Sequence, residues 1–281
     1  MLQATDVAFG YERSAPVLDG VSMGVPAGGF VGILGPNGSG KTTLLRVLAG
    51  SLAPSRGRVT LDGEDVGRIS RQALARRMAV VPQETRLAFD YTVLEVVLMG
   101  RYPHLRAFEI EGPADFAIAR EALAATGTLA LQDRAFETLS GGEKQRVIIA
   151  AALAQIHTQT TAGTPVQTAG TAVQHPVLLL DEPTAALDLA YQLELAALLR
   201  DLQARIPMAI VVSTHDLNFA AGLCSSLVLL RGGKVLASGP TGDVLTPAAI
   251  RGLYGVEAAV ERHQSGRLVI VPLSRSPEAR R

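Results

Sequence analysis

Residues 30–50 read FVGILGPNGSGKTTLLRVLAG. An apolar run, a glycine-punctuated loop ending in Lys41-Thr42 and a Leu-rich stretch predict a strand, a tight turn and a helix in direct succession. The loop fits G-x-x-x-x-G-K-[ST] and has the flanks that its chemistry needs. Gly35, Gly38 and Gly40 let the backbone curl so that its N–H groups point inward, and the helix start adds a partial positive charge. Pro36, Asn37 and Ser39 fill the rest of this anion cradle. In this reading Lys41 reaches the β- and γ-phosphates of ATP, the Thr42 hydroxyl ligates Mg²⁺, and Thr43 completes the nucleotide-binding set. An ordinary glycine turn before a helix has no need of Lys-Thr in that register.

Outward from this unit, MAVVP (78–82), VLLLDE (177–182) and AIVVST (209–214) are short apolar runs of the same kind. They are apolar without alternation until they end in Pro or polar residues, the pattern of strands buried on both faces of a mostly parallel sheet. Helical periodicity after the first strand, and again in LAYQLELAALLRDLQAR (189–205), gives an α/β core whose ligands bind beyond the strands' carboxyl ends. Between 85 and 155 the strand signal disappears. There YTVLEVVLMGR, DFAIAREALAATG and EKQRVIIAAALAQ read as amphipathic helices, an inserted helical subdomain. TDVAFGY and PVLDGVSMGV, within the first 30 residues, alternate like strands of a small antiparallel sheet. IHTQTTAGTPVQTAGTAVQHP (156–176) is a near-duplication rich in Thr, Gln, Ala and Gly, the composition of a low-complexity surface loop. His157 and His175 stand in it without Cys, Asp or Glu beside them, which argues against a metal site there.

Further chemistry sits at strand ends. A carboxylate closing a buried strand is costly unless a cation faces it, so Asp181 suits the Mg²⁺ shell. Glu182, one residue on, projects elsewhere and can orient or deprotonate an attacking water. A strand-end Asp-Glu pair that only caps the following helix is the alternative, and it weakens beside the phosphate loop. His215 in THDLN can bond the γ-phosphate and the attacking water, or be a satisfied histidine at a strand terminus. Gln83, after MAVVP, can touch both water and a metal-bound oxygen, or serve as a plain polar loop residue. LSGGEKQR (139–146) contains a capping box, Ser140 with Glu143, which is by itself a sufficient structural reason for the motif.

Bulk properties exclude several classes. Lys+Arg and Asp+Glu each total 26, so no general pull toward nucleic acid or anionic lipid exists. Cys224 is the only cysteine, which rules out an internal disulfide and a cysteine zinc cluster. Apolar stretches such as VIIAAALA (147–154) fall short of the roughly 18–20 residues of a membrane span, and the N-terminus lacks a signal pattern, so a cytoplasmic location is expected.

The ordered set GPNGSGKT, Gln83, LSGGE, VLLLDE, ALD (186–188) and His215 resembles the ATP-binding cassette ATPases over roughly residues 1–255, leaving 256–281 as a C-terminal extension. The resemblance implies a P-loop NTPase core in which Tyr11 stacks on adenine, Gln83 links nucleotide to membrane partner, and Glu182 is the catalytic base, aided by His215 and Gln83. It implies Mg²⁺ held by Thr42, Gln83 and Asp181. Ser140, Gly141 and Gly142 would meet ATP held by a second copy, across a homodimer whose interface includes Asp188. FDYTVLEVVLMGRYPHL (89–105), STHDLNFAA and GPTGDVLT look like the bacterial importers of iron–siderophore chelates, cobalamin or haem. Two integral-membrane permease subunits and, indirectly, a substrate-binding protein follow as partners, with this chain peripheral on the cytoplasmic face of the cell membrane. Cobalamin or ferric siderophore is favoured over haem. Thr92 and Glu95 form a capping-box pattern, so a helix is expected from near Val93 through Val97, with Arg101, Tyr102 and His104 exposed as a permease contact. A translation or DNA-repair motor of the same family is the alternative, and it lacks support because there is no second P-loop and no sustained heptad repeat. A small-molecule P-loop kinase would leave LSGGEKQR and ALD without a purpose.

Overall fold

The computed structural model of the chain describes residues 1–11, 15–157, 160–161, 164–165, 175–185, 187–264 and 266–275. The N-terminal region runs β1 (Leu2–Phe9), β2 (Leu18–Val25), β3 (Phe30–Leu34), α1 (Lys41–Leu48), β4 (Arg56–Leu61) and β5 (Glu64–Asp65). Next come α2 (Arg71–Arg77), β6 (Met78–Val81), α3 (Val93–Leu98) with a 3-10 turn at Met99–His104, α4 (Pro113–Ala125) and α5 (Gly141–Ile156). They are followed by β7 (Thr160–Thr161), β8 (Thr164–Pro165), β9 (Val177–Asp181) and α6 (Leu189–Arg205). The last stretch holds β10 (Ala209–Thr214), α7 (Leu217–Leu223), β11 (Ser226–Arg231), β12 (Lys234–Pro240), α8 (Thr241–Val244), α9 (Pro247–Tyr254), β13 (Val256–Arg262) and β14 (Leu268–Arg275). Two compact units result, one of Met1–Arg68, Leu180–Glu182 and the chain from Ala209 on, the other of Ile69–Leu179 and Pro183–Met208.

In the first unit β3 lies between two parallel neighbours, β10 and β11, and β12 closes the edge antiparallel to β11. Ile210 faces Phe30 and Thr214 faces Leu34, so β3 and β10 end level with each other. Every residue of both is buried, which is why their sequences are apolar without alternation. The Glu182 amide donates to the Ser213 carbonyl at 3.0 Å, which brings the end of β9 beside β10. The antiparallel sheet expected from the first 30 residues is present as β1 and β2, and β4 and β5 extend it in the order β2-β1-β4-β5. The stretch after Val256, expected as an extension, folds as the β13–β14 hairpin of this unit, with Ile270 only 2% exposed.

In the second unit the expected helices appear as α3, α4 and α5, and β6 is the neighbour of β9. α3 starts where the capping box places it: the Glu95 amide donates to Thr92 Oγ1 at 3.3 Å and the Thr92 amide to Glu95 Oε2 at 2.7 Å. Those bonds, backbone first, hold the Glu95 carboxyl below its usual pKa. The exposure expected for Arg101 is corrected here. Arg101 is 4% exposed, its Nε donates to Asp115 Oδ1 at 3.0 Å and its Nη1 to the Ala154 carbonyl at 2.6 Å. A guanidinium with partners on two helices gains more from burial than from solvent, so it braces the helices rather than offering an anchor. His104 is also partly withdrawn, its Nε2 donating to the Gln155 carbonyl at 2.8 Å, whereas Tyr102 is 58% exposed. Of the 156–176 segment, β7 and β8 pair antiparallel and His175 bonds the Pro207 carbonyl at 2.9 Å. The remaining loop reading, and Ala186 of the ALD motif, lie outside the described residues. No described helix is long and apolar enough to cross a membrane.

Candidate functional site

β3 delivers the chain to a loop, residues 35–40, that opens directly into α1. Gly38 and Gly40 have φ of 76° and 102°, a region other residues enter only with strain, and this lets the loop turn its amides inward. Gly40 is the N-cap and supplies no side-chain acceptor, and no acidic residue lies in the first turn of α1. The helix therefore starts with unsatisfied N–H groups and an uncompensated positive dipole end. Ser39 is buried, and its Oγ has no hydrogen-bond partner. Free amides, an orphan hydroxyl and a cation together fit a polyphosphate.

The cation is Lys41. It is 5% exposed, and its Nζ lies 3.0 Å from Glu182 Oε1 while donating to the Gly35 and Pro36 carbonyls at 2.9 and 3.2 Å. Glu182 Oε2 is 3.1 Å from His215 Nδ1, so each carboxylate oxygen has its own partner. Glu182 also has φ of 43°, a left-handed conformation costing a non-glycine residue about 1 kcal/mol. Asp181, the last residue of β9, is 7% exposed, and Ser213 Oγ donates to its Oδ1 at 2.6 Å. The Glu182 amide donates to that same Ser213 oxygen at 3.1 Å. Ser213 thus orients both acids, and the sequence reading missed it although it is one of two hydroxyls that close an otherwise apolar strand. Tyr254 was missed as well: its hydroxyl donates to the His215 carbonyl at 3.3 Å.

Among the described residues no group of three or more His, Cys, Asp or Glu is arranged to hold a metal. Mg²⁺ needs no such cage, because it takes one or two protein oxygens and completes its shell with phosphate oxygens and water. Thr42, at the second position of α1, and Asp181 suit that limited demand.

Each of the other candidates has its own surroundings. Tyr11, just beyond β1, is exposed and edge-on to Phe9 with centroids 5.0 Å apart. Gln83 follows β6 in the second unit and is exposed. Ser140 caps α5 as expected: the Glu143 amide donates to Ser140 Oγ at 3.3 Å and the Ser140 amide to Glu143 Oε2 at 2.8 Å. These bonds, the backbone one first, hold the Glu143 carboxyl below its usual pKa. Gly141 is exposed, while Gly142 packs against Tyr191, where a Cβ would come within 2.3 Å of the ring. Asp188 caps α6 by accepting the Tyr191 amide at 3.0 Å, so Tyr191 meets the starts of both α5 and α6.

The family described as ABC transporter matches residues 18–158. The hemin import ATP-binding protein HmuV of Bordetella pertussis is 43% identical over 272 residues, 96% of this chain and 98% of that protein. The cobalamin import ATP-binding protein BtuD of Halobacterium salinarum is 40% identical over 92% of this chain and 60% of its own length. The ferric enterobactin transport ATP-binding protein FepC of Escherichia coli is 35% identical over 98% of this chain and 95% of its own. An inward-facing ABC transporter assigned to the metal-chelate type superposes with a TM-score of 0.79 at 28% identity, covering 97% of this chain and 96% of the other. The strand-end cluster, the glycine cradle and these matches agree, and the chain belongs to the ABC transporter family as one of its ATP-binding subunits.

Proposed function

We propose that the chain is the ATP-hydrolysing subunit of an importer that takes up a metal chelate through a separate membrane permease. The observation that carries the hydrolytic part is Glu182, a carboxylate fixed at a strand end between the cradle lysine and His215. Bound ATP with Mg²⁺ supplies the phosphoanhydride to be cleaved. The chain's own residues divide the remaining work. Lys41 exchanges its contact with Glu182 for phosphate oxygens, which frees the carboxylate to orient and deprotonate water. His215 keeps that carboxylate in place. Asp181, oriented by Ser213, and Thr42 serve the cation, with Gln83 as its third proposed contact.

The import part rests on the relatives, whose names span hemin, cobalamin and ferric enterobactin. They put haem on an equal footing with the two chelates that the sequence reading favoured, and the class is the conclusion. A homodimer in which Ser140, Gly141 and Gly142 meet the partner's nucleotide, with Asp188 at the interface and Tyr11 on adenine, belongs to the same proposal. So does a peripheral position on the cytoplasmic face, reached through two permease subunits. In place of Arg101, exposed Tyr102 and Phe89 are the proposed permease contacts. Domain limits of 1–255, with a helical subdomain at about 85–155, are part of this reading.

The test is reconstitution of the chain with a metal-chelate importer permease, in vesicles loaded with ATP. Uptake of haem, cobalamin or a ferric siderophore that stops with Glu182→Gln is the expected result. ATPase activity that never associates with a permease would favour the motor alternative.

A further inference from the structure

We propose that Tyr254 is a positioning residue for hydrolysis: its hydroxyl fixes the backbone of the His215 turn and so ties the C-terminal helix α9 to the catalytic carboxylate. This rests on the ATPase reading above. His215 follows the last residue of β10, and its side chain is about half exposed, so packing alone does not locate the ring. The turn is fixed on the Asp216 side by local bonds. The Asp216 amide donates to Thr214 Oγ1 at 3.0 Å, and Asp216 caps α7 by accepting the Phe219 amide at 2.9 Å. The His215 carbonyl instead takes its hydrogen bond from Tyr254, 39 residues away.

Tyr254 closes α9, and the Gly35 amide at the start of the phosphate loop lies near the same phenol oxygen. The phenol therefore stands beside the first residue of the cradle while it holds the backbone of the histidine that bonds Glu182. Burial, then the nearby charges of Glu182 and Asp216, push the phenol pKa up, so the group stays protonated and can donate. The C-terminal elements are themselves anchored. Arg251 of α9 makes two 2.6 Å bonds to Glu257 of β13. Asn218 of α7 bonds both the amide and the carbonyl of Ile270 in β14, at 2.9 and 3.1 Å. Tyr254 thus stands on a braced base, as a residue that orients another must.

The test is steady-state ATPase of the full chain as wild type and Tyr254→Phe, which removes one oxygen and keeps the ring. A neutral hydrogen bond of ordinary strength predicts a kcat lower by about 3- to 10-fold, with KM for MgATP within about twofold and a melting temperature lower by no more than about 4 °C. In a His215→Ala background, single-turnover hydrolysis should change by less than about 1.5-fold on adding Tyr254→Phe, because the residue acts through His215. An unchanged kcat, a KM that rises in step, a fall in melting temperature well beyond about 4 °C or a failure to fold, or the full loss of about 3- to 10-fold without His215 would each overturn the inference. A wild-type chain without ATPase activity would instead remove the ATPase reading, and this inference with it.

Discussion

Two glycine-rich helix starts in this chain, at residues 35–43 and 139–146, look alike as sequence and differ in chemistry. α5 satisfies itself: Ser140 and Glu143 exchange hydrogen bonds, and the Glu143 carboxylate also answers the helix dipole. α1 does not. Its N-cap is Gly40, its first turn has no acid, the Ser39 hydroxyl is orphaned, and the nearby lysine is held by Glu182 and two carbonyls. A helix start that is finished by its own side chains needs no ligand to fold. One that leaves donors unanswered beside a buried lysine suits an anion, so in the proposed reading the first start holds nucleotide in the single chain and the second adds only what its exposed amides offer.

Glu182→Gln should break the first arrangement most severely. Losing the base should lower kcat by about 10²- to 10⁴-fold, while ATP binding stays or tightens because Lys41 loses a competing carboxylate. Turnover and nucleotide titration on one preparation check both halves, and hydrolysis near the wild-type rate would eliminate Glu182 as base.

Arg101→Ala tests whether the second unit is held by its own contacts. Removing one partner of a buried ion pair costs about 3–5 kcal/mol, here toward the lower end because Asp115 is partly exposed. Urea unfolding should show it, and a change below about 1 kcal/mol would return Arg101 to the surface role expected from sequence.

Smaller again is Ser140→Ala, which deletes the cap and should cost about 1 kcal/mol of stability. The least effect is expected from pH. Burial first, partly opposed by the bond to the Gln155 carbonyl, keeps the His104 pKa below its ordinary value, and burial does the same at His157. A folded pKa below the unfolded one gives stability that is present above about pH 6.5 and lost as pH falls through the folded value. Asp115, whose burial is outweighed by bonds from Arg101 and the Gly112 amide, and Glu143 repeat the pattern below about pH 4. The melting temperature should therefore fall between pH 7.5 and 5.5, and the drop should shrink in His104→Gln. A melting temperature that rises over that interval would reverse the assigned sign.

What could be read from the sequence was whatever local spacing determines. The strand–loop–helix at 30–48, the capping boxes at Thr92 and Ser140, and α6 over Leu189–Arg205 all follow from neighbours within one or two turns. The β11–β12 hairpin was legible too, from two apolar runs joined by Gly232-Gly233, but was not read. Arg101 was misread because its partners, Asp115 and the Ala154 carbonyl, lie 14 and 53 residues away, and no short-range pattern says that a guanidinium will be enclosed. Ser213 and Tyr254 belong to the same class: each acquires its role only when the fold brings a distant chain segment to a strand end.

The most direct test of the contrast between the two helix starts is ATP titration by calorimetry on the isolated chain, comparing Lys41→Ala with Ser140→Ala under conditions where both are folded. Charge-assisted bonds to phosphate are worth about 1.5–3 kcal/mol, so Lys41→Ala should weaken binding by about 10- to 150-fold while Ser140→Ala stays within about twofold of wild type. Equal losses in the two variants would contradict the account.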